Sequence, residues 1–151
     1  MVEIVPIARV ANARTALTDD GWGPFTSTIR LADGMPDEAL DGIETFSHAE
    51  VLFVFDRVRE ADVVRGARHP RGNQAWPRVG ILAQRGKDRP NRLGSTMVEI
   101  VRREGRDLVV RGLDAVDGTP VVDIKPVMRE FLPRTPVRQP GWASEVMKEY
   151  W

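Results

Sequence analysis

The longest uninterrupted apolar run in this chain is Val51-Leu52-Phe53-Val54-Phe55, and 13 glycines and 11 prolines break up the remainder of its 151 residues. An average helix needs about 11 residues of periodic pattern, whereas a strand is complete in about five or six, so punctuation this dense selects strands. The candidates are Val2 to Val10, Phe25 to Leu31, Ala49 to Val58, Arg78 to Gln84, Thr96 to Arg102, Leu108 to Leu113 and Val121 to Ile124, several of them rich in Val and Ile. Val51 to Phe55 is apolar on both faces, which predicts a central strand. Glu104-Gly105-Arg106-Asp107 reads as the loop of a hairpin joining its two neighbours. Helical signals are confined to Pro36 to Leu40, which has Pro and acids in its first turn and Gly42 beyond, and to Ala143 to Tyr150. The expected fold is mainly β: a single domain over residues 1–151, built as one twisted antiparallel or mixed sheet or as a β-barrel, with short peripheral helices.

The absence of cysteine excludes disulfides and thiolate metal sites. With only His48 and His69 to offer imidazole, no metal is expected. No long apolar run predicts export or a membrane span, so the expected location is the cytoplasm. Formal net charge is zero, but its distribution is uneven: residues 1–56 hold 3 Lys/Arg and 10 Asp/Glu, residues 57–111 hold 14 and 6, and residues 112–151 hold 5 and 6. The arginine-rich middle third is suited either to an anionic partner or to pairing with the acidic N-terminal third. No G-x-G-x-x-G, P-loop or G-x-S-x-G pattern is present, which leaves dinucleotide, P-loop and serine-hydrolase chemistry without support.

Two loop-like segments carry the chemistry that remains. In Asp117-Gly118-Thr119-Pro120, Gly can take positive φ and Pro fixes the exit, so amides and a carboxylate can converge on a small ligand. A plain tight turn, with Asp117 capping its own backbone, is the simpler reading of the tetrapeptide alone. Asp114 lies just before it, and Asp123-Ile124-Lys125-Pro126 after it plants opposite charges in an apolar strand exit, where buried charges need each other or a ligand. In Arg89-Pro90-Asn91-Arg92-Leu93-Gly94, Pro90 holds Arg89 extended, Asn91 can turn the chain and Gly94 permits close backbone approach. A surface loop with solvated arginines is the alternative.

The strings FSH at 46–48, RPNRLG at 89–94 and GLDAVDGTPVVDIKP at 112–126 resemble the TsaA-like, or TrmO, family of S-adenosylmethionine-dependent tRNA methyltransferases. The resemblance implies a β-barrel-like homodimer with the cofactor near the subunit interface. It implies cofactor contacts at Asp56, Arg57, Arg85, Leu93, Gly94, Ser95, Asp117, Gly118, Thr119 and Pro120. Departures from the family pattern are Arg92 in place of Pro, Ser95-Thr96 after the Gly, Asp56-Arg57 in place of His-Gln, and Asp19-Asp20-Gly21-Trp22-Gly23-Pro24 where an N-terminal PRQPG run is usual. They suggest a shorter subgroup.

The family reaction adds a methyl group to N6 of threonylcarbamoyl-adenosine in the tRNA anticodon loop, so positioning and one base should suffice. Asp114 and Asp117 are the base candidates. Arg71, Arg89, Asn91, Arg92 and Lys125 would meet the substrate's carboxylate and phosphates. Trp22 or Trp76 could stack on a base, although core or interface roles suit both better. His48 reads as structural, with His69 nearer substrate, and the C-terminal RQPGWASEVMKEYW as packed on its own domain or a second subunit. A small-molecule methyltransferase with the same cofactor site, or a non-catalytic cofactor- or nucleotide-binding module, are the competing functions.

Overall fold

The computed structural model describes residues 1–151. Six strands close into an antiparallel barrel: β1 (Ala8–Ala11), β2 (Thr26–Leu31), β3 (His48–Val54), β6 (Leu93–Glu104), β7 (Asp107–Arg111) and β8 (Pro120–Pro126), in the order β1-β2-β7-β6-β3-β8. Two-residue strands β4 (Ala67–Arg68) and β5 (Val79–Gly80) form a separate ribbon in the long β3–β6 connection. Closure leaves the barrel without an unpaired edge.

Alternation builds the core. Ser27, Ile29 and Leu31 of β2, Ala49, Val51 and Phe53 of β3, and Thr96 and Val98 of β6 point inward and are buried, with outward neighbours half-buried or exposed. Val51 to Phe55 is central as expected, with β3 flanked by β6 and β8. The β6–β7 hairpin turns on Gly105 (φ +61°) between paired Glu104 and Asp107.

Five elements differ from the sequence expectation. β1 begins at Ala8, with Ile7 before it donating its N–H to the Val121 carbonyl and accepting that of Ala32, each at 2.8 Å. The β3 ladder stops at Val54, after which the Phe55 N–H donates to the carbonyl of Arg92 at 2.8 Å. Arg78 to Gln84 pairs over Val79–Gly80 alone; the buried residues Ile81 and Gln84 are three apart, which suits the 3₁₀ turn Ile81–Ala83, and the Gln84 amide donates to the carbonyls of Arg68 and Val79 at 2.9 and 3.0 Å. The Pro36 segment forms a 3₁₀ turn over Asp37–Leu40, and the one α-helix, α1, spans Gly141–Val146.

The strand directions decide where function can sit. β1, β3 and β7 end, and β2, β6 and β8 begin, at one end of the barrel. The three connections at that end, residues 12–25, 55–92 and 112–119, hold the candidate site residues except Leu93, Gly94 and Ser95 at the start of β6 and Pro120, Asp123 and Lys125 on β8.

Candidate functional site

The Asp117–Pro120 bend is laced to the end of β1. The N–H groups of Asp117 and Gly118 donate to the carbonyls of Arg14 (2.8 Å) and Val10 (2.7 Å), and Arg9 donates to the Gly118 carbonyl at 3.1 Å. The Asp117 carboxylate accepts the main-chain N–H of Asn12 at 3.0 Å, so it caps this crossing as a turn residue would. Gly118 takes φ +83°, and the buried Thr119 hydroxyl donates to the Val116 carbonyl at 2.7 Å. Asp117 and Gly118 remain exposed.

The Arg89–Ser95 corner is conformationally costly. The chain has three non-glycine residues of positive φ, and they are Arg71 (53°), Asn91 (63°) and Arg92 (52°), all candidates for substrate contact. Left-handed backbone at a non-glycine residue costs about 1 kcal/mol or more and persists where surrounding structure imposes it, often at ligand sites. Arg92 donates to the Val58 carbonyl (2.7 Å), Arg89 to that of Gln84 (2.7 Å) and Arg85 to that of Ser95 (2.6 Å), while the Ser95 hydroxyl donates to Glu50 (2.8 Å). Arg92 thus ties this corner back to the segment just past β3. At Gly94 the close approach is internal: a Cβ there would lie 2.6 Å from the Phe53 ring and 3.0 Å from Phe55.

The two corners meet. Asn91 and Leu93 from one, and Pro120 and Val122 from the other, line a single open cavity of about 290 Å³ completed by Val54 and by Val2, Ile4 and Pro6 of the N-terminal segment. Asp114, in the β7–β8 connection at the same end of the barrel, is not among the residues that line this cavity. Its carboxylate accepts the Thr96 hydroxyl from β6 and the Tyr150 hydroxyl from the C-terminus. Burial, then the Asp114 charge and its hydrogen bond, push the Tyr150 phenol well above its ordinary range, with Arg85 and Arg71 opposing. Tyr150, Thr96 and Asn12 were not among the sequence candidates. Tyr150 is the chain's single tyrosine, but nothing local ties it to a residue 36 positions away.

Asp56 and Arg57 are exposed just past β3, with Arg57 donating to the Thr15 carbonyl. Arg71 is paired with Asp20 at 3.0 Å. Lys125 lies about 17 Å down β8 from Pro120 at 3.3 Å per residue, and it pairs with Asp123 at 2.6 Å as a half-exposed couple on the barrel's outer face. The expectation that these two charges are buried is therefore corrected: alternation on β8 turns both outward. Trp22 is buried under the Arg14 guanidinium, 4.0 Å from its ring centre, and Trp76 donates to Glu145 at 2.6 Å. His69 donates through Nδ1 to the Trp76 carbonyl (2.7 Å), and Nδ1 of the exposed His48 lies 2.7 Å from the Ser47 hydroxyl.

The arginine excess of residues 57–111 divides by location. On β6, β7 and their hairpin, Arg102, Arg103, Arg106 and Arg111 each face a carboxylate. Arg57, Arg78, Arg85, Arg89 and Arg92, the five with no carboxylate within 4.0 Å, all lie in the β3–β6 connection. Three ion pairs, from Arg71, Arg103 and Arg106, reach back to the acidic N-terminal third, so intramolecular pairing accounts for only part of the excess.

A family model described as the tRNA-methyltransferase O N-terminal domain matches residues 20–131. The tRNA (adenine(37)-N6)-methyltransferase of Escherichia coli is 42% identical over 96 residues, spanning 60% of this chain and 40% of that protein. A protein of the same description from Mus musculus is 36% identical over 96 residues, covering 64% of this chain and 22% of its own length. A probable S-adenosyl-L-methionine-binding protein of Archaeoglobus fulgidus is 45% identical over 91 residues, with 60% and 23% covered. The chain thus spans well under half the length of these relatives. A crystal structure of TrmO from Pseudomonas aeruginosa superposes with a TM-score of 0.72 at 28% identity, covering 95% of this chain and 63% of that one.

Proposed function

The chain belongs to the tRNA-methyltransferase O N-terminal domain family, and we propose that it is an S-adenosylmethionine-dependent methyltransferase acting on N6 of the modified adenosine beside the tRNA anticodon. The observation that carries this reading is that Asn91 and Leu93 of one corner and Pro120 of the other line a single cavity, at the end of a β3–β6 connection that holds five arginines without a carboxylate partner.

The cavity suits the cofactor. Its walls are mostly apolar, as an adenosine moiety requires, and its volume of 290 Å³ approaches the roughly 300 Å³ at which small-molecule sites begin. Leu93 and Pro120 line it, and Ser95, Asp117, Gly118, Thr119, Asp56, Arg57 and Arg85 would meet the parts of the cofactor that extend beyond it, while Gly94 would serve by letting Phe53 and Phe55 pack behind the wall. When bound, it supplies an electrophilic methyl group on a sulfonium.

The chain's own work is positioning and one proton. Asp114 takes the N6 proton; two of the four or so lone-pair sites of its carboxylate are filled by Thr96 and Tyr150, which leaves acceptor capacity for it. Asp117 stays with the cofactor side, because its capping bond to Asn12 fixes it to the bend. Arg71, Arg89, Asn91 and Arg92 meet the substrate's carboxylate and phosphates, and charge contacts of this kind orient RNA without reading its sequence. The exposed apolar side chains of Val2, Ile4, Val5 and Leu93 beside the cavity support closure by a second copy of the chain, and a tRNA substrate supports residence in the cytoplasm.

Calorimetry with S-adenosylmethionine, followed by mass spectrometry of nucleosides from unmethylated tRNA incubated with protein and cofactor, tests the proposal. Micromolar binding and a methyl adduct on threonylcarbamoyl-adenosine are expected. No binding removes the methyltransferase reading; binding with unchanged tRNA removes the substrate.

A further inference from the structure

We infer that Tyr150, delivered by the C-terminal segment, is a positioning residue that fixes the Asp114 carboxylate at the mouth of the barrel. The inference rests on the methyl-transfer reading above and concerns a residue beyond the family-matched span, which ends at residue 131.

The segment has a built seat. From Arg129 to Gly141 every residue is exposed, so the chain leaves the barrel and returns. On its return it pairs with the β1–β2 connection: Gly21 and Trp22 donate their N–H groups to the carbonyls of Glu149 (3.1 Å) and Tyr150 (2.8 Å). Gly23 completes the seat, because a Cβ there would lie 2.7 Å from the Trp151 main-chain carbon and would block docking. Trp76 reaches from the β3–β6 connection to Glu145 at 2.6 Å. Two loops from the site end therefore clamp the tail, and the Trp151 ring packs edge-on against Tyr150 with centroids 4.7 Å apart.

The consequence falls on Asp114. One carboxylate oxygen is tied to Thr96 inside the barrel and the other to Tyr150 from outside, so rotation about the side chain is stopped at both oxygens. Facing the phenol are Asp114, Arg85 and Arg71, the last already joined to Asp20. A group that must take a proton in a defined direction loses rate when it is free to rotate.

Tyr150→Phe removes the hydroxyl and keeps the ring. With unmethylated tRNA and S-adenosylmethionine, kcat should fall by about tenfold as the base loses its orientation. KM and the cofactor Kd should stay within about twofold, and the melting temperature within a few degrees, since ring packing survives. Because Tyr150 is the only tyrosine, the ultraviolet rise of tyrosinate reports this phenol alone: onset should lie well above pH 10, the ordinary value, and fall in Asp114→Asn. An active parent with an equally active Tyr150→Phe overturns the inference and leaves the proposed function standing. A phenol that ionises near pH 10 in the parent and in Asp114→Asn alike overturns it by showing that the contact is absent in solution. A parent that binds cofactor but methylates no RNA sinks the proposed function and this inference together.

Discussion

Asn12 and Asp117, 105 residues apart, are joined by a main-chain N–H that donates to a carboxylate at 3.0 Å, and this bond ties the site's central bend to the end of β1. Asn at 117 keeps an acceptor for that N–H but removes the charge. Asp117→Asn should therefore melt within a degree or two of the parent and bind S-adenosylmethionine several-fold more weakly. Asp117→Ala should also lose about 1 kcal/mol of stability, the usual net worth of such a bond. Calorimetry and thermal melts separate the two effects, and unchanged affinity in Asp117→Asn would assign Asp117 to the fold alone.

Gly94→Ala should destabilise the barrel by about 1–3 kcal/mol, because the new methyl group meets the Phe53 ring at 2.6 Å. At about 2–4 °C per kcal/mol for a chain of this size, a thermal melt reads the change directly. Combining it with Phe53→Leu should recover part of the loss relative to Phe53→Leu alone. No recovery would place the strain elsewhere.

Asn91 at φ 63° predicts opposite outcomes for two small substitutions. Asn91→Gly should hold or slightly raise stability, whereas Asn91→Ala should cost roughly 1 kcal/mol, since Ala has neither glycine's freedom nor asparagine's local hydrogen bonding. Denaturant unfolding midpoints provide the comparison.

The arginines without carboxylate partners should dominate RNA affinity. Replacing Arg78 and Arg89 by Ala should reduce the salt dependence of binding to an anticodon stem-loop by about 1 to 1.5 units of log–log slope, at about 0.7 per lost phosphate contact in single strands. Replacing Arg102 and Arg111, paired with Glu104 and Glu99, should leave the slope unchanged. Equal slopes for the two double variants would mean that RNA does not approach the β3–β6 connection.

Stability at alkaline pH should carry the signature of Tyr150. Its folded phenol is held above the ordinary value, so above about pH 10 the unfolded chain has released the proton while the folded chain keeps it, and stability falls as pH rises. Below that pH both states hold the proton and the full contribution remains. Tyr150→Phe lacks this proton, so between pH 10 and 11 its stability should fall less steeply than the parent's, by at most about 1.4 kcal/mol per pH unit. Parallel curves would count against a buried, Asp114-bonded phenol.

The sequence alone determined the class of fold and the pieces of the site. Short Val- and Ile-rich runs between Gly and Pro can bury a face only as strands, so β2, β6, β7 and β8 were each anticipated, and Gly105 marked the hairpin. Asp117-Gly118-Thr119-Pro120 and Arg89-Pro90-Asn91 were legible because turn chemistry is local. What only the tertiary structure decided was which distant groups touch. Alternation along β8 turned Asp123 and Lys125 outward, ring packing claimed the space beside Gly94, and barrel closure sorted the arginines into paired and unpaired sets. The Tyr150–Asp114 contact belongs to the same class, since a tail returning after a long exposed segment leaves no periodic or turn signal, and its partner is set by barrel closure and the seat at Gly23.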